Sequence, residues 1–159
     1  MQQADGTYNI KGIGSLDTPV PFGDVQGDFG RSFKAVVGSR PGINFLAVGE
    51  MLSWNQYLDI WCHSQKVPRG KVEPKTLQEY EEILPGGLGR EFGENVLFGQ
   101  EFGYDGGDPT VIRPSDVSQA SLNSAKCSVL VLTWFAQLGV TMTSFGEYCK
   151  KTDFSAILR

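Results

Sequence analysis

The chain has 159 residues and a net charge of −4. That is enough for one domain with a real hydrophobic core, and the wrong sign for a protein that grips a phosphate backbone; no Lys/Arg stripe runs along it either. Its longest apolar stretch, 127–136, is interrupted by Ser128 and Thr133 and falls far short of the ~20 residues of a membrane-crossing helix, so neither nucleic acid nor membrane is expected as a partner.

The elements follow in chain order. Residues 7–11 (TYNIK) read as a short strand. Residues 12–30 are rich in Gly, Pro and Asp and read as turns, with Asp28 expected to cap a helix from 29 to 37. Phe29, Phe33 and Val37 recur at four-residue steps and would form its buried face. Gly38 can end it. After Pro41-Gly42, residues 43–48 (INFLAV) form a continuous apolar run, the pattern of a strand covered on both sides.

Ser53 with Gln56 is a capping box, and Trp54, Tyr57, Leu58 and Trp61 then share one helical stripe. Residues 67–75 read as loop and strand. Thr76 with Glu79 is a second capping box, opening a short helix that Pro85-Gly86-Gly87 breaks. Residues 88–102 carry the longest helical pattern, with Leu88, Phe92, Val96, Leu97 and Phe98 on or near one face. Gly93 and Gly99 inside it cost roughly 1 kcal/mol each relative to Ala, so either an aromatic face offsets them or backbones approach closely there. Residues 103–109 form a turn cluster. Ser144 with Glu147 is a third capping box before a short C-terminal helix. The alternation is α/β in texture, with too few strands for a complete doubly wound sheet.

The chemistry that is missing narrows the function. Cys62, Cys127 and Cys149 are far apart, without a Cys-x-x-Cys, and His63 is the single histidine, so no zinc ligand set exists. An odd cysteine count with no secretion signal at MQQADGTYN points to reduced thiols in a cytoplasmic protein. His63 sits beside Cys62 in a helix, where neighbours point in different directions, which disfavours a nucleophile–base pair.

No Gly-x-x-x-x-Gly-Lys-Ser/Thr and no Tyr-x-x-x-Lys is present. Gly12-Ile13-Gly14 leads into no apolar helix, and Gly86–Gly89 follows a helix rather than a strand, so neither has the setting of a dinucleotide-binding turn. Asp24 and Asp28 stand one helical turn apart and could act on a substrate, although capping accounts for them. Asp105 and Asp108 flank Gly106-Gly107 and suit loop hydrogen bonding. The aromatic sets Trp54, Tyr57, Trp61 and Phe92, Phe98, Phe102, Tyr104 suit either a packed core or an apolar pocket for an aromatic or polyketide-like ligand.

Four stretches carry a family resemblance: PFGDVQGDFGRSFKAVV (21–37), LAVGEMLSWNQYLDIW (46–61), LPGGLGREFGENVLFGQEFGYDGGDPTVIRPSDV (84–117) and LGVTMTSFGEYCKKTDFSAIL (138–158). In order and spacing they resemble the C-terminal half of NmrA-like proteins of the atypical short-chain dehydrogenase group, relatives of isoflavone reductases, and most of all the fungal members. The resemblance implies a partial Rossmann-type chain. Residues 1–159 would be one substrate-side domain, mainly helical with a few strands, lacking the N-terminal half that binds NADP(H) in full-length relatives. It also implies a role in fungal small-molecule metabolism, no cofactor held by this chain alone, and no catalytic residue that can be carried over. Asp24, Asp28, Trp54, Phe92, Phe98 and Tyr104 remain as substrate-pocket candidates.

Residues 118–137 depart from the family. Val117-Ser118 can be coded GTAAGT, Leu132-Thr133 can contain CTAAC and Gln137 can be CAG, as in a translated intron; the alternative is an added helix or strand at 127–136. Three further readings stay open beside a truncated oxidoreductase-family protein: a non-catalytic binding or regulatory module with a protein partner or as a homodimer, a cofactor-free isomerase or cyclase using Asp24, Asp28 or Tyr104, and a barely stable fragment with an uncovered sheet edge.

Overall fold

The first strand, β1 (Tyr8–Ile13), lies parallel to β4 (Arg69–Lys75), with Ile10 opposite Val72 and Gly12 opposite Pro74. A parallel pair needs a long crossover. Here the crossover contains β2 (Val20–Phe22), α1 (Val25–Val37), β3 (Glu50–Leu52) and α2 (Trp54–Gln65), and β2 and β3 pair antiparallel as a second small sheet. After β4 come α3 (Leu77–Glu81), α4 (Leu88–Phe102) and α5 (Phe145–Lys151). This computed structural model describes residues 2–39, 41–42, 44–84, 86–112 and 141–158. The stretch 118–137, with its expected element at 127–136, lies outside the described residues.

The apolar stripe of α2 closes the main core. Leu58, Trp61 and Cys62 pack with Tyr8 and Val72 of the parallel pair and with Cys149 of α5. A second core joins Ile13, Val20, Tyr80 and Val96, locking α3 and α4 to the end of β1. All three expected capping boxes form, at Ser53/Gln56, Thr76/Glu79 and Ser144/Glu147, because each carboxylate or amide reaches back to the N–H that its own helix start leaves unpaired.

Several expectations are corrected. Helix α1 begins at Val25, and its cap is Asp24, whose Oδ1 accepts from Gly27 N at 2.9 Å. Asp28 is not a cap; it lies inside the helix and is buried. The buried stripe of α1 is Asp28, Ser32 and Ala35, while Phe29 and Phe33 are 65% and 60% exposed and Val37 also faces outward. Periodicity identified the two faces but not which one the neighbouring chain covers.

Residues 44–48 form no extended strand. Phe45 makes a single parallel bridge to Ile112, with Leu46 N donating to Ile112 O at 2.9 Å. A ladder needs a partner strand along its length, and among the described residues this run meets one only at that point.

In α4 the inward stripe is Gly89, Gly93, Val96 and Gly99, while Leu88, Phe92 and Phe98 are largely exposed. Close approach is the reason: a Cβ at Gly93 would stand 2.7 Å from Leu77 Cδ1 and 2.9 Å from Ile13 Cδ1. The three-residue strands β2 and β3 were not legible, since VPF and EML are too short to show an alternation.

Candidate ligand-binding site

Ser53 starts the site. Its hydroxyl accepts from Gln56 N and its own N–H donates to Gln56 Oε1 at 2.8 Å, which fixes the first turn of α2. Trp54 therefore projects onto the end of β1, where its Nε1–H donates to Ile13 O at 3.1 Å. One turn on, Tyr57 packs against Trp54 with ring centroids 6.0 Å apart, and edge-on against Phe145 at 4.8 Å. Helix α4 supplies the opposite wall through Phe92, Asn95 and Val96. Tyr104, in the turn after α4, folds back so that its ring lies on Gly99; a Cβ there would meet Cζ at 2.3 Å.

Trp54, Tyr57, Phe92, Asn95, Val96 and Tyr104, with Val20 and Pro21 of β2, line a half-open cavity of about 390 Å³. That is within the ~300–1,000 Å³ range of small-molecule sites. A hollow of about 470 Å³ lies on the other side of Tyr104 and is lined also by Glu50, Met51 and Asp105. A third, of about 310 Å³, shares Trp54 and Tyr57 and reaches Tyr8 and Trp61 of the main core. The aromatic residues of α2 and Tyr104 are thus partition walls between neighbouring spaces.

Burial pushes the Tyr57 phenol up, with Tyr104 and Glu50 nearby adding to the effect, and burial does the same to Tyr104. Both stay protonated at neutral pH. The Tyr104 hydroxyl, shut off from bulk water, has no hydrogen-bond partner. None of the described residues lining the 390 Å³ cavity is a carboxylate, histidine, lysine or cysteine.

Of the six candidate residues, Trp54, Phe92 and Tyr104 share this cavity. Phe98 is 58% exposed on another side of α4, where it packs on Phe102 at 4.9 Å. Asp24, the cap of α1, and Asp28 within it lie beside a hollow of only about 70 Å³. Sequence reasoning missed Val20, Pro21 and Asn95, and it marked Gly99 as a point of close approach without naming the Tyr104 ring that Gly99 seats. A usable signal existed for Gly99: a glycine in a helix five residues before a tyrosine can seat that ring once the chain turns back. Asp105 and Asp108 cap turn N–H groups of Gly107 and Thr110. Cys62 is buried while its neighbour His63 is exposed. Among the described residues no cluster of His, Cys, Asp or Glu could hold a metal ion, and no helix is long and apolar enough to cross a membrane.

No family model and no curated protein sequence matches the chain. Its architecture is similar to the crystal structure of an NmrA double mutant, at a TM-score of 0.56 and 17% sequence identity, covering 94% of this chain and 44% of that one. The fold is NmrA-like. The mixed α/β chain with few strands thus agrees with the sequence expectation of a Rossmann-type relative, and it spans less than half of the NmrA chain it resembles.

Among the described residues, no helix start has the setting that a dinucleotide needs. Pyrophosphate binds where a strand turns into a helix whose first N–H groups are free. Strands β2, β3 and β4 do run into α1, α2 and α3, but Asp24, Ser53 and Thr76 already occupy those helix starts, and α1 adds the carboxylate of Asp28 to its first turn. The start of α4 at Gly87 has no side-chain cap. It follows a helix, however, and Gly89 is pressed against the backbone of Tyr80 and Glu81.

Proposed function

We propose that this chain is the substrate-side part of an NmrA-like oxidoreductase-family protein of fungal secondary (small-molecule) metabolism, working in the cytoplasm, and that it holds an apolar small molecule while binding no NADP by itself. The observation that supports this is the pocket of about 390 Å³ lined by Trp54, Tyr57, Phe92 and Tyr104. Among the described residues lining the cavity there is no carboxylate, histidine or lysine to act as a base, which favours holding a ligand over cofactor-free isomerisation and makes a non-catalytic ligand-binding module the second reading.

The test is a titration of the whole chain with N-phenyl-1-naphthylamine, a neutral dye that brightens in apolar sites, and separately with NADPH. The dye binds saturably, and Asn95→Trp, at an exposed position on the cavity wall, blocks it. NADPH shows no saturable binding. Dye binding that ignores Asn95→Trp, or micromolar NADPH binding with turnover, overturns the reading.

A further inference from the structure

Two helices carry large apolar residues on the side turned away from the core. On α1 these are Val25, Phe29, Phe33 and Val37, all more than half exposed, with Phe29 and Phe33 stacked at 6.0 Å. On α4 they are Leu88, Phe92, Phe98 and Phe102, all half exposed or more, with Phe98 and Phe102 in contact at 4.9 Å. The opposite sides already pack inward, through Ser32 and Ala35 of α1 and through Gly93 and Val96 of α4. A helix that is apolar on its outer side as well is expected to be covered there too. Apolar patches of this size mark interaction surfaces.

The two faces match in length and in charge. Helix α1 has 13 residues and α4 has 15, about 20 and 22 Å at a rise of ~1.5 Å per residue. Each presents two phenylalanines one turn apart. The exposed charges of α1 are Arg31, which pairs with the buried Asp28, and Lys34. Helix α4 exposes Glu91, Glu94 and Glu101 against Arg90 alone. Pairing α1 with α1 would set lysine against lysine, and pairing α4 with α4 would set acids against acids; α1 on α4 brings opposite signs together. At roughly 100 Å² for each half-exposed aromatic side chain, the two apolar faces together cover about 800 Å². Their charged flanks bring the contact to the ~1,000 Å² that a specific interface clears. We propose that α1 of one copy docks along α4 of a second, so that this chain associates with itself head to tail. One such contact leaves a free α1 face at one end and a free α4 face at the other, so further copies add as a chain or close into a ring. The contact does not depend on whether the cavity holds a ligand.

The experiment is sedimentation velocity on the whole chain from about 5 to 500 µM, the range of a small, reversible interface. The average mass of the unaltered chain rises with concentration. Phe29→Ser with Phe33→Ser disables the α1 face, and Phe98→Ser with Phe102→Ser disables the α4 face. Each double variant alone stays a monomer. Mixed one to one they form a dimer and nothing larger, because one chain keeps its α1 face and the other its α4 face. The single changes Phe33→Ser and Phe98→Ser show the same pattern more weakly and decide the matter should a double variant unfold. Raising NaCl from about 20 to 500 mM weakens association of the unaltered chain severalfold, as the paired charges are screened. An unaltered chain that stays monomeric throughout overturns the proposal. So does a variant that self-associates as the unaltered chain does, which would mean that the remaining helix pairs with its own copy or that another surface is used. A mixture that forms no dimer, or association that salt strengthens, overturns it as well.

Discussion

The carboxylate of Asp28 holds Thr143 across 115 positions of sequence: Oδ2 accepts from the Thr143 backbone N–H and Oδ1 from its hydroxyl, both at 2.8 Å. Arg31, one turn along α1, pairs with the same carboxylate from a half-exposed position. Ser32 completes the contact, its hydroxyl 3.4 Å from Met142 Sδ. On the other side Thr143 O presses on Gly49, where a Cβ would stand 2.2 Å away. Helix α1, the approach to β3 and the start of α5 are therefore pinned at one buried, charge-assisted point.

Removing the carboxylate leaves two buried donors unmade, so Asp28→Ala costs about 3 kcal/mol. Thr143→Val keeps the backbone bond and removes only the hydroxyl's bonds, to Asp28 and the long one from Arg31, and costs about 1 kcal/mol. Urea unfolding of the two variants checks both the size and the order; equal losses would mean that the Thr143 backbone N–H is satisfied without Asp28.

Gly99 and Gly30 are both helical glycines with opposite surroundings. Gly30→Ala meets nothing within 4 Å. It stabilises the chain by about 0.5–1 kcal/mol through the lower entropy of the unfolded state. Gly99→Ala drives a methyl into the Tyr104 ring and destabilises by roughly 1–3 kcal/mol. Thermal midpoints moving in opposite directions confirm the close approach at Gly99.

Phe29 and Phe33 stack on each other at 6.0 Å on the exposed side of α1. Replacing both by Ser changes stability by no more than about 1 kcal/mol and raises solubility. Leu58→Ala, at a fully buried position, costs about 2–5 kcal/mol. Denaturant midpoints separate the two cases, and a large loss from the Phe pair would show that α1 buries its aromatic side.

Glu79 and Glu147 each reach back to a capping residue, and the hydrogen bonds from the Thr76 and Ser144 backbones hold their carboxyls below the ordinary 4.5. A carboxyl lowered in the folded state contributes stability above its unfolded value and loses it as pH falls through the folded value. Stability therefore declines below about pH 4.5. The double variant Glu79→Gln, Glu147→Gln, which keeps an acceptor in each box, shows a shallower decline when midpoints are followed from neutral to acid pH.

Local signals settled much of this protein. Ser53, Thr76 and Ser144 marked three helix starts correctly, because a capping box is made within four residues and needs no distant partner. The helix over 88–102 and the stripe Leu58–Trp61 were legible for the same reason. The aromatic residues of the cavity could be named, but not sorted: Phe92 reaches it and Phe98 faces away, a difference set by how α4 rolls on its glycines.

Composition and short-range spacing determined the α/β texture and the three helix starts marked by capping boxes, which depend on residues a few positions apart. Tertiary structure alone decided that α1 would bury an aspartate in place of two phenylalanines, that Gly99 would seat Tyr104, and that β1 would lie beside β4. Burial is a property of what another segment brings up against a face, and here those segments come from distant parts of the chain.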